Sequence, residues 1–135
     1  MLRWDFRDYI HANGNNPILK WYAKELSAQE QANMDMLLNT LERTQNWGLP
    51  DYRALQGAQK GLGEIRWKGD QKRPLRLIGF FGIELCQFTI LVGCTHDKDK
   101  YYPASAMNTA LTRMSELKRG IGETREHEIE TDPET

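Results

Sequence analysis

The chain has 135 residues, of which 39% are hydrophobic and 27% are charged, and its formal net charge is −1. This length fits one domain around one core, and no apolar run approaches the roughly 18 residues that a membrane-spanning helix needs. The N-terminus is charged from its third residue, unlike a signal peptide, and the two cysteines lack CxxC spacing. We therefore expect a soluble, cytoplasmic protein with reduced thiols.

The first 46 residues predict a strand and a helical hairpin. Residues 2–7 alternate between apolar and charged side chains, as a half-buried strand does. Asn16 and the proline after it are suited to the N-cap and first turn of a helix over 17–26. The sequence SAQE, residues 27–30, is a capping box that opens a second helix over 28–46.

The second half of the chain changes to strand periodicity before a last helix. Residues 62–68, 75–81 and 85–92 predict three strands, and residues 103–118 predict a helix with an apolar stripe. The order β-α-α-β-β-β-α predicts an α+β fold, with an antiparallel sheet and the helices on one side of it. A single domain is expected over residues 1–119.

Acidic and basic residues are distributed unevenly along the chain. Residues 120–135 contain six acidic residues and one basic residue, whereas the first 119 residues contain 17 basic and 13 acidic ones. Much of the basic excess lies between Lys60 and Arg76, which indicates a polyanionic partner. The acidic end lacks apolar residues to bury, so it is predicted to be a disordered tail or to fold back over the basic surface.

Metal-dependent and triad chemistry find no support in the residue pattern. The three histidines are far apart and lack ligand spacing, no Ser, His and Asp set stands in a recognisable context, and the GLG of residues 61–63 leads into a strand. We therefore expect neither a metal nor a cofactor.

The cationic side chains are more informative. Glu64, Arg66 and Lys68 alternate onto one face of a predicted strand, where a solvated face is the simplest interpretation. Arg76 stands inside an apolar run, where an unpaired guanidinium would be costly to bury. Either Arg76 pairs with a carboxylate such as Glu64, or it lines a concave site that an anion enters.

Four stretches carry a family resemblance. They follow the helical hairpin in order, namely GLGEIR (61–66), LRLIGFF (75–81), VGCTHDKDKYYP (92–103) and ALTR (110–113). With the hairpin, they resemble the RelE/ParE toxin superfamily, and within it the HigB-like, phage-derived branch. The likeness covers nearly all of residues 1–119. It implies an antiparallel sheet backed by the helical hairpin, with a C-terminal helix.

The resemblance also implies a function. Members of this family are most often toxins of type II toxin-antitoxin systems, metal-independent endoribonucleases that cleave mRNA on the ribosome. The RNA 2′-OH attacks the adjacent phosphorus, which needs a base, an acid and cations for the phosphorane charge. The implied partners are ribosome-bound mRNA and a cognate antitoxin protein of the helix-turn-helix type, and no membrane.

Roles in this reaction can be assigned to individual residues from their position in the motifs and from their chemistry. By position in the motifs, Arg66 and Arg76 correspond to arginines that hold the scissile phosphate. By chemistry, His96 suits a general acid or base because its ordinary pKa is near neutrality, although a loop histidine is more often simply exposed. Tyr101 or Tyr102 would stack a base or support proton transfer, although one of two adjacent tyrosines usually packs on the core. The remaining candidates for substrate contact are Lys68, Arg73, Lys98 and Lys100.

Two other functions stay open. The chain would fit a ParE-like, non-enzymatic inhibitor of DNA gyrase, or a phage-derived binding module without nuclease activity. His96 and Asp97 stand where relatives have two consecutive lysines, and Asp97 and Asp99 dilute the positive charge. The clustered cations favour the nuclease, because a gyrase inhibitor has no need of them at one edge.

Overall fold

The computed structural model describes residues 3–129, which form an α+β fold with three α-helices and a mixed β-sheet. The elements are β1 (Asp5–Ile10), α1 (Pro17–Glu25), α2 (Ala28–Glu42), β2 (Tyr52–Ala54), β3 (Gly63–Lys68), β4 (Pro74–Phe81), β5 (Gln87–Asp97), β6 (Lys100–Tyr102), α3 (Ala106–Lys118) and β7 (Glu123–Glu126). No helix in this part of the chain is long and apolar enough to cross a membrane.

The sheet has the strand order β2-β3-β4-β5-β1-β7, and β6 pairs with β5 off this path. Every pair of neighbours is antiparallel except β1 and β5, which run parallel from Asp5↔Gln87 to Asp8↔Ile90. The prediction of a purely antiparallel sheet is therefore wrong. Parallel neighbours need a long crossover connection, and the segment that contains the helical hairpin lies between β1 and β5 in the chain.

Helices cover both faces of the sheet. On one face, Ile18 of α1 and Leu38 of α2 belong to a core that includes Leu77 and Phe88. On the other face, α3 contributes Met107, Ala110 and Leu117 to a second core around Ile78 and Phe80. The expectation that all helices lie on one side is wrong, because β4 and β5 are apolar on both faces and each face must be covered.

The helix starts follow the sequence signals. The Asn16 side chain accepts hydrogen bonds from the amides of Ile18 and Leu19, and the reciprocal bonds of the Ser27–Glu30 capping box are both present. The second helix ends at Glu42, earlier than predicted. The Trp47 indole nitrogen donates to the Leu41 carbonyl at 2.9 Å, so a side chain satisfies part of that helix end.

The acidic end extends the sheet. Glu123–Glu126 pairs antiparallel with β1, and the buried His127 ring brings Nδ1 to 2.8 Å from Asp8 Oδ1. The prediction of a disordered tail from residue 120 is therefore wrong for this stretch; its continuation over 130–135 lies outside the described residues. The acidic strand also lies at the opposite end of the sheet from β2 and β3, so it does not cover the basic stretch.

The polar segment after the predicted third strand is a hairpin. β5 continues to Asp97, and β6 returns with Tyr101 opposite His96. The turn residues Lys98 and Asp99 both have positive φ, 47° and 67°, as the tight turns of two-residue hairpins require. Lys-Asp is not the usual Asn-Gly signal for such a turn, so the sequence predicted only a loop.

Candidate anion-binding site

The register of the central strands brings the two arginines of interest together. Arg66 of β3 is the direct cross-strand partner of Arg76 of β4, and Arg76 is opposite Cys94 of β5. Directly opposed residues project to the same face of a sheet, and Cys94 belongs to the core under α3. Both guanidinium groups therefore leave the sheet on the α3 face.

Glu64 lies in the middle of this group. Its carboxylate, 1% exposed, is 3.2 Å from Arg53 Nη2, 3.5 Å from Arg66 Nε and 3.8 Å from Arg76 Nε. Tyr101 donates its hydroxyl to Glu64 Oε2 at 2.7 Å. The three arginines carry three formal positive charges against one negative charge, so the cluster keeps an excess of positive charge.

Arg76 has more donors than the surrounding protein satisfies. Its Nη1 donates to the Leu75 carbonyl at 2.9 Å, but within residues 3–129 the buried Nε atoms of Arg76 and Arg66 have no hydrogen-bond acceptor. Burial and the nearby charge of Arg66 lower the pKa of the Arg76 guanidinium. Buried donors are normally paired, so these two N–H groups indicate room for an additional acceptor such as a phosphate oxygen.

A cleft of about 350 Å³ opens beside the arginines. It lies at the sheet edge, where β2 pairs only with residues 63–65 of β3 and leaves the end of β3 uncovered. Arg66, Lys68 and Arg76 line it together with Asp51, Pro50, Leu37 and Trp67. Three of the predicted cations thus share one cavity that a small anionic group can enter.

Tyr101 and His96 stand next to the cluster without lining this cleft. Their ring centroids are 4.8 Å apart in an edge-to-face arrangement, and Tyr101 reaches the arginines through Glu64. Burial, and then the hydrogen bond to Glu64, raise the pKa of the Tyr101 hydroxyl, so this phenol keeps its proton at neutral pH and donates it in the hydrogen bond to Glu64. Burial also raises the pKa of the Cys94 thiol to about 12, which makes this cysteine a neutral core residue.

The other predicted residues lie elsewhere. Arg73 Nη2 donates to the buried Glu30 carboxylate at 2.7 Å. The exposed Tyr102 lines a different cleft beside Trp21. Lys98 and Lys100 are exposed at the tip of the β5–β6 hairpin. The structure therefore does not bring these four residues to the arginine cleft.

Two residues of the cluster escaped the sequence prediction as site residues. The sequence predicts Glu64 only as a residue of a polar strand face and as a partner for Arg76, and it does not single out Arg53. Arg53 lies on β2, a strand of three residues that is too short to show a period. The sequence alone gave no signal for it, because its position follows from the pairing of Arg53 with Glu64 across β2 and β3.

Fold and site together define an α+β protein with an arginine-lined cleft at one edge of its sheet. Among residues 3–129, no group of three or more His, Cys, Asp or Glu side chains is arranged to hold a metal ion. Neither a protein-family model, nor a curated protein, nor a solved structure matches the chain.

Proposed function

We propose that this protein is a metal-independent endoribonuclease of the RelE/ParE kind, close to the HigB-like branch, and that its arginine cleft binds the scissile phosphate. The observation that carries the proposal is the pairing of Arg66 with Arg76 at the wall of one cleft, with a buried Nε–H on each that faces Glu64 at 3.5 and 3.8 Å without a hydrogen bond. Arginine presents a planar fork of donors that suits phosphate oxygens.

The chemistry assigned to the site is attack of the RNA 2′-oxygen on the adjacent phosphorus. The 2′-OH loses its proton, the new O–P bond forms, and the bond to the 5′-oxygen breaks as that oxygen takes up a proton. Arg66 and Arg76 stabilise the negative charge that grows on the phosphorane oxygens. His96, which packs edge-to-face against Tyr101 beside the arginine cluster, is the candidate for transferring these protons.

The proposed location and partners of the protein come from the family resemblance of its motifs. A toxin of this kind acts in the cytoplasm on mRNA at the ribosome, and a cognate antitoxin protein of the helix-turn-helix type neutralises it. The α+β fold with a helical hairpin on its sheet is compatible with this family. An adjacent reading frame that encodes a small helix-turn-helix protein would support this part.

Inducible expression in a bacterial host tests the nuclease. We expect growth arrest and new mRNA 5′ ends by primer extension, reduced about a hundredfold by Arg66→Gln or Arg76→Gln. Lys60→Gln is the matched control, because Lys60 belongs to the same basic stretch and does not line the cleft. Unchanged cleavage in both arginine variants would discard the site. Inhibition of gyrase by purified protein, without new mRNA ends, would indicate the ParE-like function instead.

One observation favours a second candidate, a binding module without nuclease activity. The Glu64 carboxylate already lies within 4.0 Å of three arginines, so the free protein partly fills the position that an anion would take. The same purified protein distinguishes the two candidates. Binding of a short RNA that depends on Arg66 and Arg76, with no cleavage in the presence of ribosomes, would favour the binding module.

A further inference from the structure

Arg113 of α3 is a half-buried cation without an ion pair to any residue between 3 and 129. Its Nη1 donates to the Leu91 carbonyl at 2.7 Å, and its guanidinium carbon lies 4.9 Å from the Tyr9 ring centroid. No carboxylate of residues 3–129 comes within 4.0 Å of it. The nearby Glu116 carboxylate accepts a hydrogen bond from the Tyr9 hydroxyl instead. Burial lowers the pKa of Arg113, which shows that its charge is poorly solvated.

Arg113 reaches a gap in the sheet. β5 pairs with β1 up to Ile90 and with β6 from Thr95 onward, and between these points no described strand covers that edge of β5. A cleft of about 550 Å³ opens at this gap, and Arg113 lines it. The Leu91 carbonyl that Arg113 contacts belongs to the uncovered edge, so α3 supplies a cation where a strand is missing.

Two aromatic side chains line the same cleft. Trp21 of α1 lies against Gly93, where a Cβ atom would come 2.2 Å from Trp21 Cδ2, so only glycine allows the indole this close to the strand. Trp67 supports the same indole edge-to-face, with ring centroids 6.2 Å apart. Tyr102 is 51% exposed and also lines the cleft. The cleft thus combines the indole of Trp21, the exposed phenol of Tyr102 and a guanidinium that forms no ion pair within the described part of the chain.

We propose that this cleft binds a nucleoside phosphate, with the base against Trp21 or Tyr102 and the phosphate at Arg113. Base–aromatic stacking and arginine–phosphate bonds are the usual basis of such recognition, and the volume suits a ligand of this size. Two other charged residues line the cleft, namely Arg73, whose charge is paired with Glu30, and the exposed Glu25, so Arg113 is the cation that remains for the phosphate. A free nucleotide and one nucleotide of an RNA strand share this chemistry.

The proposal does not rest on the nuclease function. Among their lining residues, this cleft and the arginine cleft have none in common. Arg66→Gln should therefore leave nucleotide binding here unchanged, while it reduces cleavage at the other site about a hundredfold. A failure of either proposal is thus visible separately.

Calorimetric titration of the full chain tests the proposal, with NMR observation of the Trp21 indole N–H. The probes are uridine 5′-monophosphate, uridine, inorganic phosphate and a single-stranded uridine trinucleotide. We expect the monophosphate to bind more tightly than uridine or phosphate and to shift the Trp21 signal. Arg113→Gln should weaken binding about tenfold or more, because a charge-assisted hydrogen bond is lost. Arg119→Gln, at the end of the same helix, should change it less than twofold.

Three results would overturn nucleotide binding at this cleft. They are equal affinity for phosphate and the monophosphate, an unchanged Trp21 signal, and full affinity in a folded Arg113→Gln variant. If Arg113→Gln fails to fold, the exposed Tyr102→Ala and the conservative Trp21→Phe replace it, and unchanged affinity in both would overturn it equally. Tighter binding of the trinucleotide, with the same dependence on Arg113, would support an RNA strand as the source; equal binding would support a free nucleotide.

Discussion

At the scale of single residues, Glu64 determines the charge balance of the arginine cleft. Its buried carboxylate is the shared partner of Arg53, Arg66 and Arg76, and the two buried guanidinium Nε atoms have no other acceptor in residues 3–129. Taking one charge out of such a cluster leaves the others uncompensated, which is usually more costly than the original pair was favourable. An anion in the cleft would supply the missing charge.

We therefore expect Glu64→Gln to lower the free energy of unfolding by about 3 kcal/mol, because three guanidinium groups then face one another without a carboxylate. Phosphate at millimolar concentration should restore more stability to this variant than to the wild type, since it replaces the lost charge. Urea unfolding with and without phosphate measures both effects.

Glu84→Gln is the control for this substitution, because Glu84 is an exposed acid in the β4–β5 turn. It should change stability by less than about 0.5 kcal/mol. Equal responses of Glu64→Gln and wild type to phosphate would contradict an anion site at the arginines.

Part of this cluster is predictable from the sequence for a physical reason. Arg76 was noticeable because a guanidinium in an apolar run must find a partner, and the structure gives it both a carboxylate and a cleft. Arg73 has the same residue type and lies only three positions away, yet it pairs with Glu30. The difference is set by tertiary contacts, which local sequence does not contain.

At the scale of elements, one carboxylate ties the helical hairpin to the sheet. Glu30, at the start of α2, accepts hydrogen bonds from the Ser27 amide, the Asp70 amide and the Arg73 guanidinium. Burial alone would raise the pKa of Glu30, but the bonds from Arg73, Ser27 and Asp70 outweigh it and lower the pKa from 4.5 to about 2. The contact links the start of α2 to the turn before β4.

This depressed pKa predicts an acid-sensitive contribution to stability. A carboxyl group with a lower pKa in the folded state stabilises the fold above its unfolded value and loses that contribution as the pH falls. The free energy of unfolding should thus drop between about pH 5 and pH 2, by up to about 3 kcal/mol from this group. Chemical unfolding over this range should show a flatter profile for Glu30→Gln, with the exposed Glu25→Gln as the control. Parallel profiles for Glu30→Gln and wild type would contradict the assignment.

The last strand is held by a buried pair at its end. Asp8 Oδ1 contacts His127 Nδ1 at 2.8 Å, and Asp8 Oδ2 accepts a hydrogen bond from Asn16 Nδ2 at 2.9 Å. Composition could not predict this strand, because it is held by backbone pairing with β1 and by polar contacts, namely His127 with Asp8 and Arg7 with Thr124. The capping box at Ser27, by contrast, was predictable because both of its partners lie within four residues.

His127→Ala should lower the free energy of unfolding by about 2 kcal/mol or more, because it leaves the buried Asp8 carboxylate short of a partner. The double variant with Asp8→Asn should lose less than the sum of the two single variants, as expected for groups in direct contact. Urea unfolding of the four proteins measures this coupling. Glu123→Gln, exposed on the same strand, is the control; additive losses would show that the pair is not coupled.

At the scale of the whole molecule, the layered arrangement followed from the sequence only in outline. The apolar runs of β4 and β5 predicted buried strands and hence an α+β core, but not which helix covers which face. The parallel pairing of β1 with β5 was equally inaccessible, since it depends on the path that the helical hairpin takes across the sheet. The division between a basic middle and an acidic end, in contrast, corresponds to opposite regions of the sheet.

The cations of the arginine cleft predict how RNA affinity depends on salt concentration. Each phosphate neutralised on a single strand contributes about −0.7 to the slope of log K against log salt concentration. If Arg66 and Arg76 together neutralise the scissile phosphate and Lys68 neutralises its neighbour, the slope for a short single-stranded RNA should be about −1.4. Lys68→Gln should make the slope shallower by about 0.7, and Lys60→Gln should leave it unchanged because Lys60 lies outside the cleft. Fluorescence anisotropy at several salt concentrations gives the slopes. Equal changes for the two substitutions would mean that RNA follows the general basic surface rather than the arginine cleft.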